Sequence, residues 1–191
     1  GGKQLSEGYL PGAGVMRVLL DACVLLPSVL REVLMGAAHS GAFQPIWSAR
    51  ILGEWQHAAA RLGAEAEGIA RTEIALLRAR FPDAETRPAP LDDLTLPDAD
   101  DLHVLGAAVA GQADYLATKN LRDFPTRVVG RLGIQVTDPD VLLLSLCAEG
   151  HAIARVVAEV QARTEAISGR PQPLRPLLRR AGLPRLGKHL A

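Results

Sequence analysis

Cysteine is scarce: only Cys23 and Cys147 occur among 191 residues. Two isolated cysteines build no disulfide framework, and neither belongs to a metal-spaced pair. Such usage fits a reducing cytoplasm and argues against a cysteine-ligated zinc site. Aromatic residues make up only 4%, so a core has to be built from Ala, Leu and Val. No apolar run reaches the roughly 18 residues a membrane span needs. No basic segment leads into an apolar stretch with a small-residue cleavage site, so secretion is not indicated. Walker-type and dinucleotide-binding glycine motifs are missing, which leaves nucleotide-cofactor binding without support. What is present, 48% hydrophobic and 22% charged residues, describes an ordinary globular chain of about one domain.

The formal net charge is zero, but it is unevenly spread. From Gly169 to Ala191 six basic residues (Arg170, Arg175, Arg179, Arg180, Arg185, Lys188) occur without a single acid. The preceding segment therefore carries a formal −6, and five of its acids fall between Asp92 and Asp101. An acidic spot followed by a basic tail is the first functional hint.

Residues 1–14 are Gly-rich and aperiodic, and read as a disordered leader. Short apolar runs at Arg17–Leu20, Phe43–Trp47, Asp114–Ala117 and Ile134–Val136 read as buried strands. Helices are expected over Val24–Met35, from Ser48 as N-cap to about Leu62, over Ala64–Phe81 and over Asp101–Gln112. Further helices are expected at Val128–Leu132, after Asp138-Pro139 and over His151–Ser168, then two short ones in Arg170–Ala191. Pro82–Pro90 and Thr118–Pro125 read as loops. Strands alternating with helices predict a three-layer α/β/α sandwich around a central parallel sheet, with a small helical C-terminal extension.

In such a sheet, ligands gather beyond the carboxyl ends of the strands. Asp21 ends the first strand, and the Thr118–Asp123 loop leaves a later one at the same edge. Asp101 opens a helix that precedes a strand, so its N-terminus returns there. Glu54 lies in the second turn of the helix after Phe43–Trp47. Asp21, Glu54, Asp101 and Asp123 are thus expected to converge. Carboxylates in one place raise one another's pKa, and a hard divalent cation removes the conflict. Mg²⁺ in such a setting activates water and supports phosphodiester hydrolysis.

The same points carry a recognisable pattern. The runs Val18-Leu-Leu-Asp21-Ala-Cys-Val-Leu-Leu-Pro27 and Trp47-Ser48 leading to Glu54 are followed by Pro97-Asp98-Ala-Asp100-Asp101-Leu-His103-Val-Leu-Gly-Ala-Ala, then Ala113-Asp-Tyr-Leu-Ala-Thr118-Lys-Asn120-Leu-Arg-Asp123-Phe124. In this order they resemble the PIN-domain ribonucleases, in particular the VapC-like toxins of type II toxin–antitoxin pairs. The resemblance spans roughly residues 15–146 and divides the chain into the leader, a PIN-like nuclease domain over 15–146 and a basic helical extension over 147–191. It implies a Mg²⁺- or Mn²⁺-dependent endoribonuclease that leaves a 5′-phosphate and a 3′-hydroxyl, with a cognate antitoxin. Asp21, Glu54 and Asp101 match the family's first three acidic positions. At the fourth, Asn120 stands where the family often has Asp, and Asp123 follows three residues later. Thr118 matches the hydroxyl at the strand end, which orients a metal-bound water.

Other readings stand beside these. Asp98 suits an N-cap first and a supporting acid second. His103, two positions beyond Asp101, should not share its face and reads as packing. Arg31 is open between substrate contact and salt bridging. Lys119 and Arg122 flank the site and can meet phosphates, or form a surface pair. Trp47 and Trp55 read as core. The helices Arg50–Leu62 and Glu65–Phe81 offer a groove for a partner helix or a homodimer. Rival functions are an inactive PIN-like interaction module, favoured by Asn120, and a small-molecule phosphoesterase.

Overall fold

A computed structural model describes residues 14–191. The expected leader lies outside the described residues except for Gly14. Strand β1 (Arg17–Leu20) is the centre of the molecule; Val18, Leu19 and Leu20 have no exposed surface. A strand covered on both faces needs an unbroken apolar run rather than alternation, and this run has it. β1 pairs in parallel with β2 (Gln44–Ile46) on one side and β3 (Tyr115–Ala117) on the other, and β3 pairs with β4 (Gln135–Thr137). The order is β2-β1-β3-β4, with Leu19 opposite Ile46 and Leu116, and Leu116 opposite Val136. Parallel neighbours require crossover connections, and helices supply them on both faces, giving the α/β/α sandwich.

The helix expected over Val24–Met35 is two. A single turn, α1 (Ala22–Leu25), is capped by Asp21, and α2 (Ser28–His39) begins after extended Pro27. Proline lacks the N–H that a continuous helix would use, so the chain restarts there. Ser48 caps α3 (Ala49–Ala60), its Oγ accepting from the Ile51 amide at 3.1 Å. Gly63, at φ +123°, makes the turn into α4 (Ala64–Arg80). Pro82–Pro90 is more than a loop. Trp47 donates its amide to Ala84 O and accepts from the Thr86 amide, extending the β2 edge by one parallel bridge.

A 3-10 turn at Ala99–Asp101 leads into α5 (Leu102–Ala110). After β3 come a second 3-10 turn (Leu121–Asp123) and α6 (Thr126–Val129) with a 3-10 turn to Leu132. Asp138 caps α7 (Pro139–Ala148) and Pro139 fills its first position. α8 (Ile153–Ser168) lies against α2 so closely that a Cβ on Gly36 would stand 2.5 Å from Val156 Cγ1. α9 (Leu174–Arg180) and α10 (Pro184–Leu190) pair with each other, and α10 packs on α7. Among the described residues, no helix is long and apolar enough to cross a membrane.

Candidate metal centre

The carboxyl ends of β1 and β3 are adjacent, and Asp21 and Thr118 leave them side by side. Asp21 is held from both directions. One carboxylate oxygen accepts from the Ala22 amide at 2.8 Å and the other from the Thr118 hydroxyl at 2.8 Å. Thr118 is fully buried and also accepts from the Asn120 amide at 3.0 Å, so one hydroxyl fixes both the acid and the turn after β3. Its proton goes to Asp21.

Asp21, Glu54, Asp101 and Asn120 line one cavity of about 620 Å³. Asp101 stands at the N-terminus of α5 without making a side-chain cap bond there. Burial pushes its carboxyl up to about 6, and the negative charges of Asp123, Asp21, Asp98 and Glu54 push in the same direction. The structure thus brings three sequence-expected acids to one cavity and leaves Asp123, in the 3-10 turn after Asn120, within electrostatic reach but off its lining. Asp98 caps the turn before Asp101, accepting from the Asp100 amide at 2.9 Å.

Other expected contacts lie elsewhere. The buried Arg31 guanidinium donates to the carbonyls of Leu25 and Leu26 and sits 4.8 Å from the Trp55 ring centre, away from this cavity. It therefore ties α2 to α1 and α3 rather than reaching toward the acids. Lys119 points its ammonium to Gly182 O at 2.8 Å and to Asp138 at 3.2 Å. Arg122 is exposed and makes no ion pair among the described residues. Trp47 and Trp55 are core residues, as expected.

Three cavity-lining residues escaped the sequence reading: the cations Arg50 and Arg61, and His57. With Glu54 they recur at intervals of four, three and four along α3, one helical stripe. That spacing was visible; which face of α3 turns toward the acids was not. His103 also turned out closer to the chemistry than a packing residue. Its side chain is only 7% exposed, yet Nε2 lies 2.7 Å from Glu54 Oε1. The contact lacks hydrogen-bond alignment, and among the described residues neither ring nitrogen has a partner that meets that geometry. Burial holds this imidazole below its usual pKa, against the pull of Glu54. Cys23 lines the same cavity, but burial first and the Asp21 charge second push its thiol up to about 11. It stays protonated near neutral pH and is no thiolate nucleophile.

The match to a known family agrees with this geometry. Residues 17–122, more than half of the chain, match the model described as PIN domain. The chain belongs to the PIN-domain family. PIN domains are commonly nucleases and typically bind divalent metals, which places this chain in nuclease-type function. Searches of curated proteins and of solved structures gave no match.

The donor set of this PIN domain suits a hard cation: oxygen ligands, no thiolate or imidazole cluster, and mutual repulsion that a positive ion relieves. Among the described residues no three His, Cys, Asp or Glu side chains stand close enough to form a closed cage. Mg²⁺ does not need one, because it keeps several waters and takes one or two carboxylates directly.

Proposed function

We propose that this PIN domain is a Mg²⁺- or Mn²⁺-dependent endoribonuclease and the toxin of a VapC-like toxin–antitoxin pair acting in the cytoplasm. The observation that supports it best is the convergence of Asp21, Glu54 and Asp101 on one cavity, with Asp101 pushed up to about 6 by burial and by its acidic neighbours. Asp21 and Asp101 are the direct ligands we assign, with Glu54, Asp123 and the Asn120 carbonyl completing the site directly or through water. A bound cation supplies an activated water and neutralises charge developing on the phosphodiester. The chain's own residues do the positioning. Thr118 and the Ala22 amide keep the Asp21 carboxylate from rotating. Arg50, His57 and Arg61 line the cavity on the same stripe as Glu54, with Arg50 Nε 3.7 Å from Glu54 Oε1, and form the surface on which an RNA phosphate lies. Arg122 is free to join them; Lys119 is committed to Gly182 and Asp138. The products are a 5′-phosphate and a 3′-hydroxyl.

The toxin reading brings a cognate antitoxin. Ile69 and Leu76, 52% and 57% exposed and seven residues apart on α4, with Leu62, 72% exposed in the turn before it, give an apolar surface suited to an antitoxin helix or a second copy. The basic extension belongs to this enzyme as part of its working unit.

The test is cleavage of a mixed tRNA and structured-RNA pool with Mg²⁺ or Mn²⁺, beside EDTA, Asp21→Asn and Asp101→Asn. Cleavage that disappears in all three controls, with the variants still folded, is the expected result. A folded, partner-free protein that cleaves nothing in either metal defeats the enzyme reading. It favours the second one, a PIN-like interaction module, which the neutral Asn120 and the open arrangement of the acids support.

A further inference from the structure

The basic tail is not a loose appendage. α9 and α10 form a tight hairpin in which Leu177, Leu178, Leu183 and Leu186 are buried. Gly187 lets the two helices close up: a Cβ there would stand 3.2 Å from Leu178 Cβ. A residue 45 positions away fixes the hairpin to the body. Asp140, 4% exposed, accepts from the Arg185 and Leu186 amides at 2.8 and 2.9 Å, and so caps α10 from within α7. The turn between the helices meets the site loop directly, because Lys119 Nζ donates to Gly182 O at 2.8 Å. Lys119 lies between Thr118, which holds Asp21, and Asn120, which lines the acidic cavity. The hairpin is therefore anchored at the same sheet edge as the carboxylates, on the β4 side.

What it presents outward is cationic. Arg170, Arg175, Arg179, Arg180, Arg185 and Lys188 are all exposed, and none of them forms an ion pair among the described residues. Arg175 and Arg179 are four apart on α9, and Arg185 and Lys188 three apart on α10, so each pair shares a face opposite the buried leucines. Six exposed cations without an ion pair among the described residues give this face a local excess of positive charge, which an external polyanion complements. Their attachment to the site loop through Lys119, whose neighbour Asn120 lines the cavity, favours one whose phosphates also reach that cavity.

We propose that the outer face of the α9–α10 hairpin binds the phosphate backbone of single-stranded RNA and guides the strand across the β4 side of the sheet edge into the acidic cavity. The proposal rests on the nuclease reading for what happens in the cavity, but the binding itself is independent of cleavage. Cations along a strand add affinity by releasing its counterions, so the contact is salt-dependent and indifferent to sequence. The track is preorganised, because the helices that carry it are fixed by Asp140 and by the leucines.

The experiment measures fluorescence anisotropy of labelled single-stranded RNA with the full chain carrying Asp101→Asn, in Mg²⁺, across a salt series. The triple variant Arg175→Gln, Arg179→Gln, Lys188→Gln in the same background should bind at least about tenfold more weakly, with the slope of log K against log salt reduced by about 2. Arg155→Gln with Arg163→Gln on α8 serves as a control of similar charge loss and should change binding little. In chains with Asp101 intact, the triple variant should cleave long RNA poorly and a trinucleotide as well as the parent does. Parent-like RNA binding by the folded triple variant overturns the proposal. So does equal affinity of the parent for polyglutamate, which would assign the face to an acidic protein. RNA binding lost in the triple variant, with no cleavage by the parent, keeps this proposal and defeats only the nuclease reading.

Discussion

Two carboxylates stand at helix N-termini on the same edge of the sheet and are treated in opposite ways. Asp140, near the start of α7, is almost completely buried, and both its oxygens accept backbone amides from α10. Asp101, at the start of α5, makes no cap bond and faces Asp123, Asp21, Asp98 and Glu54, which together with burial push it up to about 6. A buried acid that satisfies two orphan amides is architecture. An acid held among like charges costs stability and persists where chemistry uses the conflict. Burial alone does not separate the two; the company each acid keeps does.

The sharpest way to break this contrast is Asp140→Ala. It leaves the Arg185 and Leu186 amides unsatisfied and loosens the hairpin, and should destabilise the protein by about 2–4 kcal/mol. Urea unfolding measures it, and a loss below ~0.5 kcal/mol would mean that the hairpin does not depend on this cap. On the other side, Mg²⁺ or Mn²⁺ at 100 times its Kd should stabilise the native chain by about 2.7 kcal/mol, and much less in Asp101→Asn. Thermal scans with and without metal decide this; equal stabilisation of both proteins would move the ion elsewhere.

A smaller effect follows from pH. The folded-state pKa of Asp101 is raised, so its neutral form favours folding, and that contribution is full below about 3.8 and disappears as pH rises through about 6. In EDTA, Asp101→Asn should therefore raise Tm at pH 7.5, with the gain fading as pH falls from about 6 toward 4. An unchanged Tm difference across that window would show that the crowding is relieved in solution. Smallest is Lys119→Met, which removes a partly exposed ammonium from Gly182 O and Asp138. It should cost about 0.5–1 kcal/mol in urea unfolding. A loss as large as that of Asp140→Ala would make the site loop, rather than α7, the main anchor of the hairpin.

Much of the fold could be read directly along the chain. Val18-Leu-Leu announced a buried parallel strand, Ser48 and Asp138-Pro139 announced helix starts, and Gly169 stands where α8 ends, because caps and apolar runs act through residues a few positions apart. The break at Pro27 was equally local, yet the apolar residues on either side concealed it. Asp21 and Asp101 were legible from their places next to a strand end and a helix start, whereas Glu54 needed the family pattern.

The sequence by itself determined the alternation of strands and helices, the places of Asp21 at a strand end and Asp101 at a helix start, and the separation of negative and positive charge along the chain. Only the tertiary structure decided that Arg31 turns inward to carbonyls and the Trp55 ring, and that His103 meets Glu54. It alone decided that the Arg50–His57–Arg61 face of α3 looks toward the acids, and that Asp140 caps a helix 45 positions away. The physical reason is reach. Hydrogen bonds within one turn are written in neighbouring residues, while contacts between distant side chains exist only after apolar burial has fixed where each helix lies and which face it shows.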